Sequence, residues 1–194
     1  MTEPSRDSGG AGITPRSSRH ERKALWEGLA DDGVDTMAEA ERMAVTVRPP
    51  GDKSTTRIVL MPYDADWGAR FLAMGQRLRR ALGDEAVRID HEGSTAVPGL
   101  IAKPVIDIQV SVRSLDDPGR LVGLIEPVGV AFRGDNADRT KLLFTGDFRG
   151  VGMANVHVRV AGSYGEQFQL LFRDFLRADV RARQRSAAEK EKLA

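Results

Sequence analysis

Two stretches of this chain alternate with the period of a half-buried strand. In Val105–Val112, the residues Ile106, Ile108, Val110 and Val112 fall on one face, and Asp107, Gln109 and Ser111 on the other. In Met153–Val160, the residues Ala154, Val156, Val158 and Val160 share one face, and Asn155, His157 and Arg159 the opposite one. Such strands need a helical layer against their apolar side and leave a polar side that can carry chemistry. Placed in one sheet, Asp107 and His157 can meet on that polar side. There a carboxylate and an imidazole can bind a divalent cation or move a proton. Alternating polar residues also occur on any sheet with one wet face, so alternation alone does not make a site.

The rest of the chain supplies the helices. Trp67, Phe71, Met74, Leu78 and Leu82 recur at spacings of three and four and predict a helix over about 65–82. Asp64 or Asp66 can cap its start, and Gly83 can end it. Asp116 to about Ile125 reads as a short helix, with Asp116 as cap, Pro118 in the first turn and Pro127 as the stop. Ser163-x-x-Glu166 is a capping-box sequence. It opens a helix expected to bury Phe168, Leu171, Phe172, Phe175 and Leu176, and from Arg181 a charged, solvated helical tail follows. Further strands are expected at Arg57–Met61, Val87–His91, Val128–Phe132 and Lys141–Thr145. The late strands lack intervening helices, which argues against a doubly wound fold. The expected fold is therefore α+β: a mixed sheet with helices packed mainly on one face.

With 194 residues, the chain is long enough for one domain with its own core. The domain is expected over 57–194. Residues 1–56 are expected to form a disordered or loosely helical extension and linker, since the first twenty are rich in Ser, Gly, Pro and Arg. The chain has no cysteine, which excludes disulfides, thiol nucleophiles and Cys-ligated metal centres. A net charge of +1 excludes a strongly basic footprint over the whole chain. Nucleic-acid binding through the basic C-terminal end therefore ranks below small-ligand binding. No signal-peptide pattern or membrane-length apolar run is present, so a cytoplasmic protein is expected.

Between the expected strand 87–91 and the strand bearing Asp107 lies Gly93-Ser94-Thr95-Ala96-Val97-Pro98-Gly99-Leu100. Small residues let backbone N–H groups approach a phosphate, and the Ser94 hydroxyl adds a donor. Lys103 supplies a cation nearby, and Pro104 fixes the entry to the strand. A phosphate cradle, a cation and a carboxylate able to hold Mg²⁺ or Mn²⁺ are the parts that phosphoryl or nucleotidyl transfer requires. Arg133, Arg139 and Lys141 form either a wall for an anionic substrate or a solvated surface. His91 either lines the site or is buried with Val87 and Ile89, whose parity it shares.

Three segments carry a family resemblance: VLMPYDADWGARF (59–71), IDHEGSTAVPGLIAKPVIDIQV (89–110), and VHVRV with FRDFLRA (156–160 and 172–178). Residues 58 to about 180 resemble the GrpB family, which is assigned to the nucleotidyltransferase superfold. The resemblance implies a Gly93-Ser94 phosphate loop and Asp107 as the first metal-binding acid. It implies a nucleoside triphosphate and a small acceptor as substrates. The superfold's second acidic position holds Gln109 here, a weaker cation ligand, and the third holds His157, expected as base or auxiliary ligand with His91 in reserve. Glu92, Asp90 or Asp135 could complete the metal set. The alternative is a binding module for a nucleotide or phosphorylated metabolite that transfers nothing.

Overall fold

The computed structural model describes residues 59–134, 138 and 140–193. The expectations for residues 1–56, Arg57, Asp135 and Arg139 lie outside them. The elements run α1 (Asp66–Leu82), β1 (Ala86–Glu92), β2 (Ile106–Val112), α2 (Pro118–Ile125), β3 (Ala131–Phe132), β4 (Lys141–Asp147), β5 (Met153–Val160), α3 (Tyr164–Ala178) and α4 (Val180–Leu193). The five strands form one mixed sheet in the order β1-β2-β5-β4-β3. Only β2 and β5 are parallel; the other neighbours are antiparallel.

The register sorts the side chains. Ile106, Ile108, Val110 and Val112 pair with Ala154, Val156, Val158 and Val160, and all eight but Val160 are fully buried. Trp67, Met74 and Leu78 of α1 and Leu121 and Ile125 of α2 close the core over this face. Each Leu or Ile removed from water in this way contributes roughly 1.5–3 kcal/mol. The Gly83 N–H bonds to the Arg79 carbonyl and ends α1 at φ +51°, a conformation glycine adopts without strain.

Local details depart from expectation at three places. Asp117, not Asp116, caps α2, accepting the Arg120 N–H at 3.0 Å. Residues Glu126–Val128 wind into a 3₁₀ turn that Pro127 favours, so β3 shrinks to Ala131–Phe132. Of the strand expected at 57–61, the described part gives only an isolated bridge between Met61 and Ala102.

The polar face is partly roofed. Ser163 makes no side-chain cap bond. Glu166 is buried and takes the Ser111 hydroxyl at 2.7 Å, the Gly162 N–H at 3.2 Å and the Arg88 guanidinium. The capping-box glutamate is thus spent on fastening α3 to the sheet. Of the residues expected on the buried side of α3, only Leu176 is fully buried, joined by Glu166 and Leu170. Phe172 and Phe175 pack at the edge of a second small core of Val97, Leu100, Leu176 and Ala182. Tyr164 stacks on Phe168, and Phe168 on Phe172, in a row along the helix. The tail is helical, but it is not wholly solvated, since Ala182 is fully buried and Ser186 nearly so.

Two leucines of α1 test this arrangement. Leu78 is fully buried and Leu72 is 60% exposed. Leu78→Ala is expected to lower the unfolding free energy by about 2–5 kcal/mol, and Leu72→Ala to change it by less than about 0.5 kcal/mol. Urea denaturation of the two variants checks this difference.

Candidate functional site

The site is built at the end of β1. Glu92 closes the strand and pairs across the sheet with Asp107, which in turn pairs with Asn155 of β5. Directly opposed residues project to the same side, so Glu92, Asp107 and Asn155 form one polar row. The next row is Asp90, Gln109 and His157, and the one beyond is Arg88, Ser111 and Arg159.

The chain must then turn without obstructing Asp107. Gly93 does this at φ +69°, and a Cβ there would lie 2.4 Å from Asp107 Oδ2 and 2.9 Å from its Cγ. A side chain here would be strained by the positive φ and would force Asp107 to shift. A single 3₁₀ turn, Ser94–Ala96, follows, closed by the Val97 N–H on the Ser94 carbonyl at 3.1 Å. Beneath it, His91 is stacked on Phe71 with ring centroids 4.8 Å apart. Its Nε2 lies 3.0 Å from Thr95 Oγ1, and the Thr95 hydroxyl donates to the Val105 carbonyl at 3.4 Å. Burial, reinforced by the Arg177 charge, pushes the His91 pKa down to about 4. Arginines of α3 hold the loop from the other side: Arg173 donates to the His91 carbonyl at 2.8 Å, and Arg177 to the Ala96 carbonyl at 2.8 Å.

Asp107 remains about a quarter exposed, with Asn155 Nδ2 donating to its Oδ1 at 2.8 Å. His157 Nε2 stands 3.9 Å from that same oxygen and 3.7 Å from Glu92 Oε1. These separations exceed a hydrogen bond and suit a bridging water or ion. Arg159 approaches Glu92 Oε1 at 3.4 Å. Glu92 Oε2 and His157 Nδ1 are both buried and unpartnered. Lone buried polar atoms of this kind are costly unless something occupies them. Among the described residues, no three His, Asp or Glu side chains are gathered into a ready cation cage.

The structure brings Asp107, His157, Gly93 and Ser94 together, as the sequence reading requires. The other expected residues stand differently. Gln109 leaves the ligand set: it is fully buried, its amide donates to the Glu166 carbonyl at 3.0 Å, and its oxygen accepts from Arg159 at 2.6 Å. His91 lies on the helix-covered side of β1, opposite in parity to Glu92, and acts there as a support for the loop. Asp90 is engaged by Arg88 and Arg173. Lys103 is exposed, and no hydrogen bond or ion pair of its side chain occurs among the described residues. Lys141 pairs with Asp138 and sits opposite Arg159, four residues or about 13 Å along the sheet from the Asp107 row.

Sequence reasoning missed the cation that reaches the Ser94 hydroxyl. Lys190 of α4 donates to Ser94 Oγ at 2.6 Å and to the Ile101 carbonyl at 3.3 Å. Burial lowers its pKa to about 8, against the opposing pull of Asp107. No local motif marks Lys190; it lies 96 residues from Ser94. Glu92, one of three acids that the sequence offered for the metal set, directly precedes Gly93 and lies on the opposite face from His91, and it is the one set opposite Asp107.

Comparison with known proteins identifies the family of the chain. The family model described as GrpB protein matches residues 57–194. The chain belongs to the GrpB family. The crystal structure of GrpB from Enterococcus faecalis superposes with a TM-score of 0.62 at 25% identity, covering 70% of this chain and 82% of that one. UPF0157 protein BH1888 of Halalkalibacterium halodurans is 36% identical over 160 residues, which is 82% of this chain and 79% of that protein. A dephospho-CoA kinase of Mycolicibacterium paratuberculosis is 37% identical over 148 residues, but the match spans only 36% of that protein. Among the described residues, no helix of this GrpB protein is long and apolar enough to cross a membrane.

Two measurements test the loop. Gly93→Ala is expected to cost about 1–3 kcal/mol of stability from the left-handed backbone alone, and to displace Asp107, seen as a shift of its carboxyl signal by NMR. His91 binds its proton near pH 4 when folded and near pH 6.5 when unfolded. Its contribution is therefore intact above pH 6.5 and lost as the pH falls towards 4. Relative to His91→Gln, the wild type is expected to lose on the order of 3 kcal/mol across that window, measured by denaturant titration at each pH.

Proposed function

We propose that this GrpB domain binds a nucleoside triphosphate with one divalent cation, Mg²⁺ or Mn²⁺, and transfers a nucleotidyl group to a small acceptor. The observation that carries the reading is the packing of Gly93 on Asp107. It sets a Gly-Ser turn, two carboxylates and an imidazole at one end of the sheet, with Glu92 Oε2 buried and unpartnered. Asp107 and Glu92 are the residues that would hold the cation. Two carboxylates suit one ion; a second would face charge repulsion with Gln109 already consumed by Arg159 and Glu166. The bound ion would supply neutralisation of phosphate charge.

The chain's own groups divide the remaining work. Ser94 and the small-residue turn orient the phosphates. His157 Nε2, flanked by Glu92 and Asp107, takes the proton from the acceptor as its oxygen or nitrogen attacks the α-phosphorus and pyrophosphate leaves. Asn155 holds Asp107 in the orientation this needs. The kinase name borne by some relatives belongs to proteins in which the matching stretch is about a third of the length, so that activity is not carried over. The burial of Gln109 in the second acidic position favours one other reading, a domain that binds the nucleotide without transfer.

Calorimetric titration with a panel of nucleoside triphosphates, with Mg²⁺ and with EDTA, separates these. The wild type is expected to bind at least one nucleotide about tenfold more tightly with Mg²⁺, and Asp107→Asn to lose that gain. Phosphorus NMR over a long incubation should show pyrophosphate release. Binding without release supports the binding module, and a metal response unchanged in Asp107→Asn removes the proposed ion site.

A further inference from the structure

We infer that Lys190 of the C-terminal helix is a phosphate-binding residue of this site, reaching the Ser94 turn from the far end of the chain. The inference rests on the nucleotide reading above and names the cation that reading lacks.

The path of α4 explains how a lysine gets there. Ala182, Ser186 and Lys190 are spaced by four and lie along one stripe of the helix. Ala182 is fully buried and Ser186 is 8% exposed. Side chains this small let α4 lie close over Val97 and Leu100, within the same apolar cluster as Leu176. The next position along the stripe then meets the Ser94 turn. The Lys190 ammonium bonds to Ser94 Oγ and the Ile101 carbonyl.

Both partners are neutral. Among the described residues, no carboxylate lies within 4.0 Å of this ammonium, whereas Lys141 pairs with Asp138 and Lys192 with Glu189. Asp107 lies near enough for its charge to act on Lys190, but the direct partners of this half-buried ammonium are dipoles alone, and an anion in contact with it would offset its lost hydration. An ammonium has three donors and two are used, which leaves one for an incoming oxygen. The Ser94 hydroxyl, held by Lys190 as acceptor, keeps its own proton free to donate to the same anion. Burial depresses the Lys190 pKa to about 8, and a phosphate beside it would favour the charged form. The exposed Lys103 offers none of this.

The test uses sodium tripolyphosphate as the probe, the full chain, and EDTA to silence the cation site. The wild type is expected to bind, and Lys190→Met, which keeps the buried stem, to bind at least tenfold more weakly. Lys190→Gln, which retains a donor for Ser94 without the charge, should show the same loss. Lys192→Met, which removes an exposed ammonium paired with Glu189 on the same helix, should stay within twofold of wild type. Wild-type affinity in Lys190→Met or Lys190→Gln overturns the inference. So does tighter binding, since the ammonium would then compete with the ligand. No tripolyphosphate binding by the wild type also overturns it. If Mg²⁺-dependent nucleotide binding that needs Asp107 persists in any of these cases, the functional reading stands and only the role of Lys190 falls.

Discussion

The parallel register of β2 against β5 is the constraint on which the site depends. It sets Asp107 beside Asn155 and Gln109 beside His157. A slip of one residue would send Ile106, Ile108 and Val110 to the polar side and carry Asp107 into the core. The apolar pairing of seven fully buried residues on the other face therefore fixes the polar face as well. Core packing, rather than any attraction among the polar groups, decides that the carboxylate and the imidazole meet.

That polar face is divided between two tasks. At its upper end, Glu166 gathers Ser111, Arg88 and the Gly162 N–H, while Gln109 joins Arg159 to the α3 backbone. These bonds fasten α3 to the sheet, and Arg159 also reaches Glu92 at the border with the site. At the lower end, Glu92, Asp107 and His157 approach one another without bonding, and two of their buried atoms have no partner. Docked α3 also brings Arg173 and Arg177 onto the loop and presents α4, whose lysine reaches Ser94. The structural half of the face thus builds the walls of the other half.

Much of this was legible in residue order. Strand alternation identifies Asp107 and His157 because side chains on a strand take opposite faces in turn. The stripe Trp67–Leu82 identifies α1, with Gly83 ending it. The capping-box sequence at Ser163 marks the start of α3 correctly but misstates what Glu166 does. A short-range rule sees the nearest N–H, and the folded chain offered Ser111 and Arg88 as better partners. Gln109 was equally opaque. Its residue type suggests a weak ligand, but its two amide ends are consumed by residues 50 and 57 positions away.

The sequence alone determines the period of each element, the side of each strand that is apolar, and the place of the small-residue turn after β1. These are local properties, set by backbone geometry and by the exclusion of hydrocarbon from water. The tertiary structure alone decides which polar residues are consumed in docking and which are left to act. It removes Gln109 from the site, places His91 beneath the loop, sets Glu92 rather than Asp90 opposite Asp107, and brings Lys190 in. The reason is that a hydrogen bond or ion pair reaches only a few ångströms, so its partner is defined by the packing of distant segments and not by spacing along the chain.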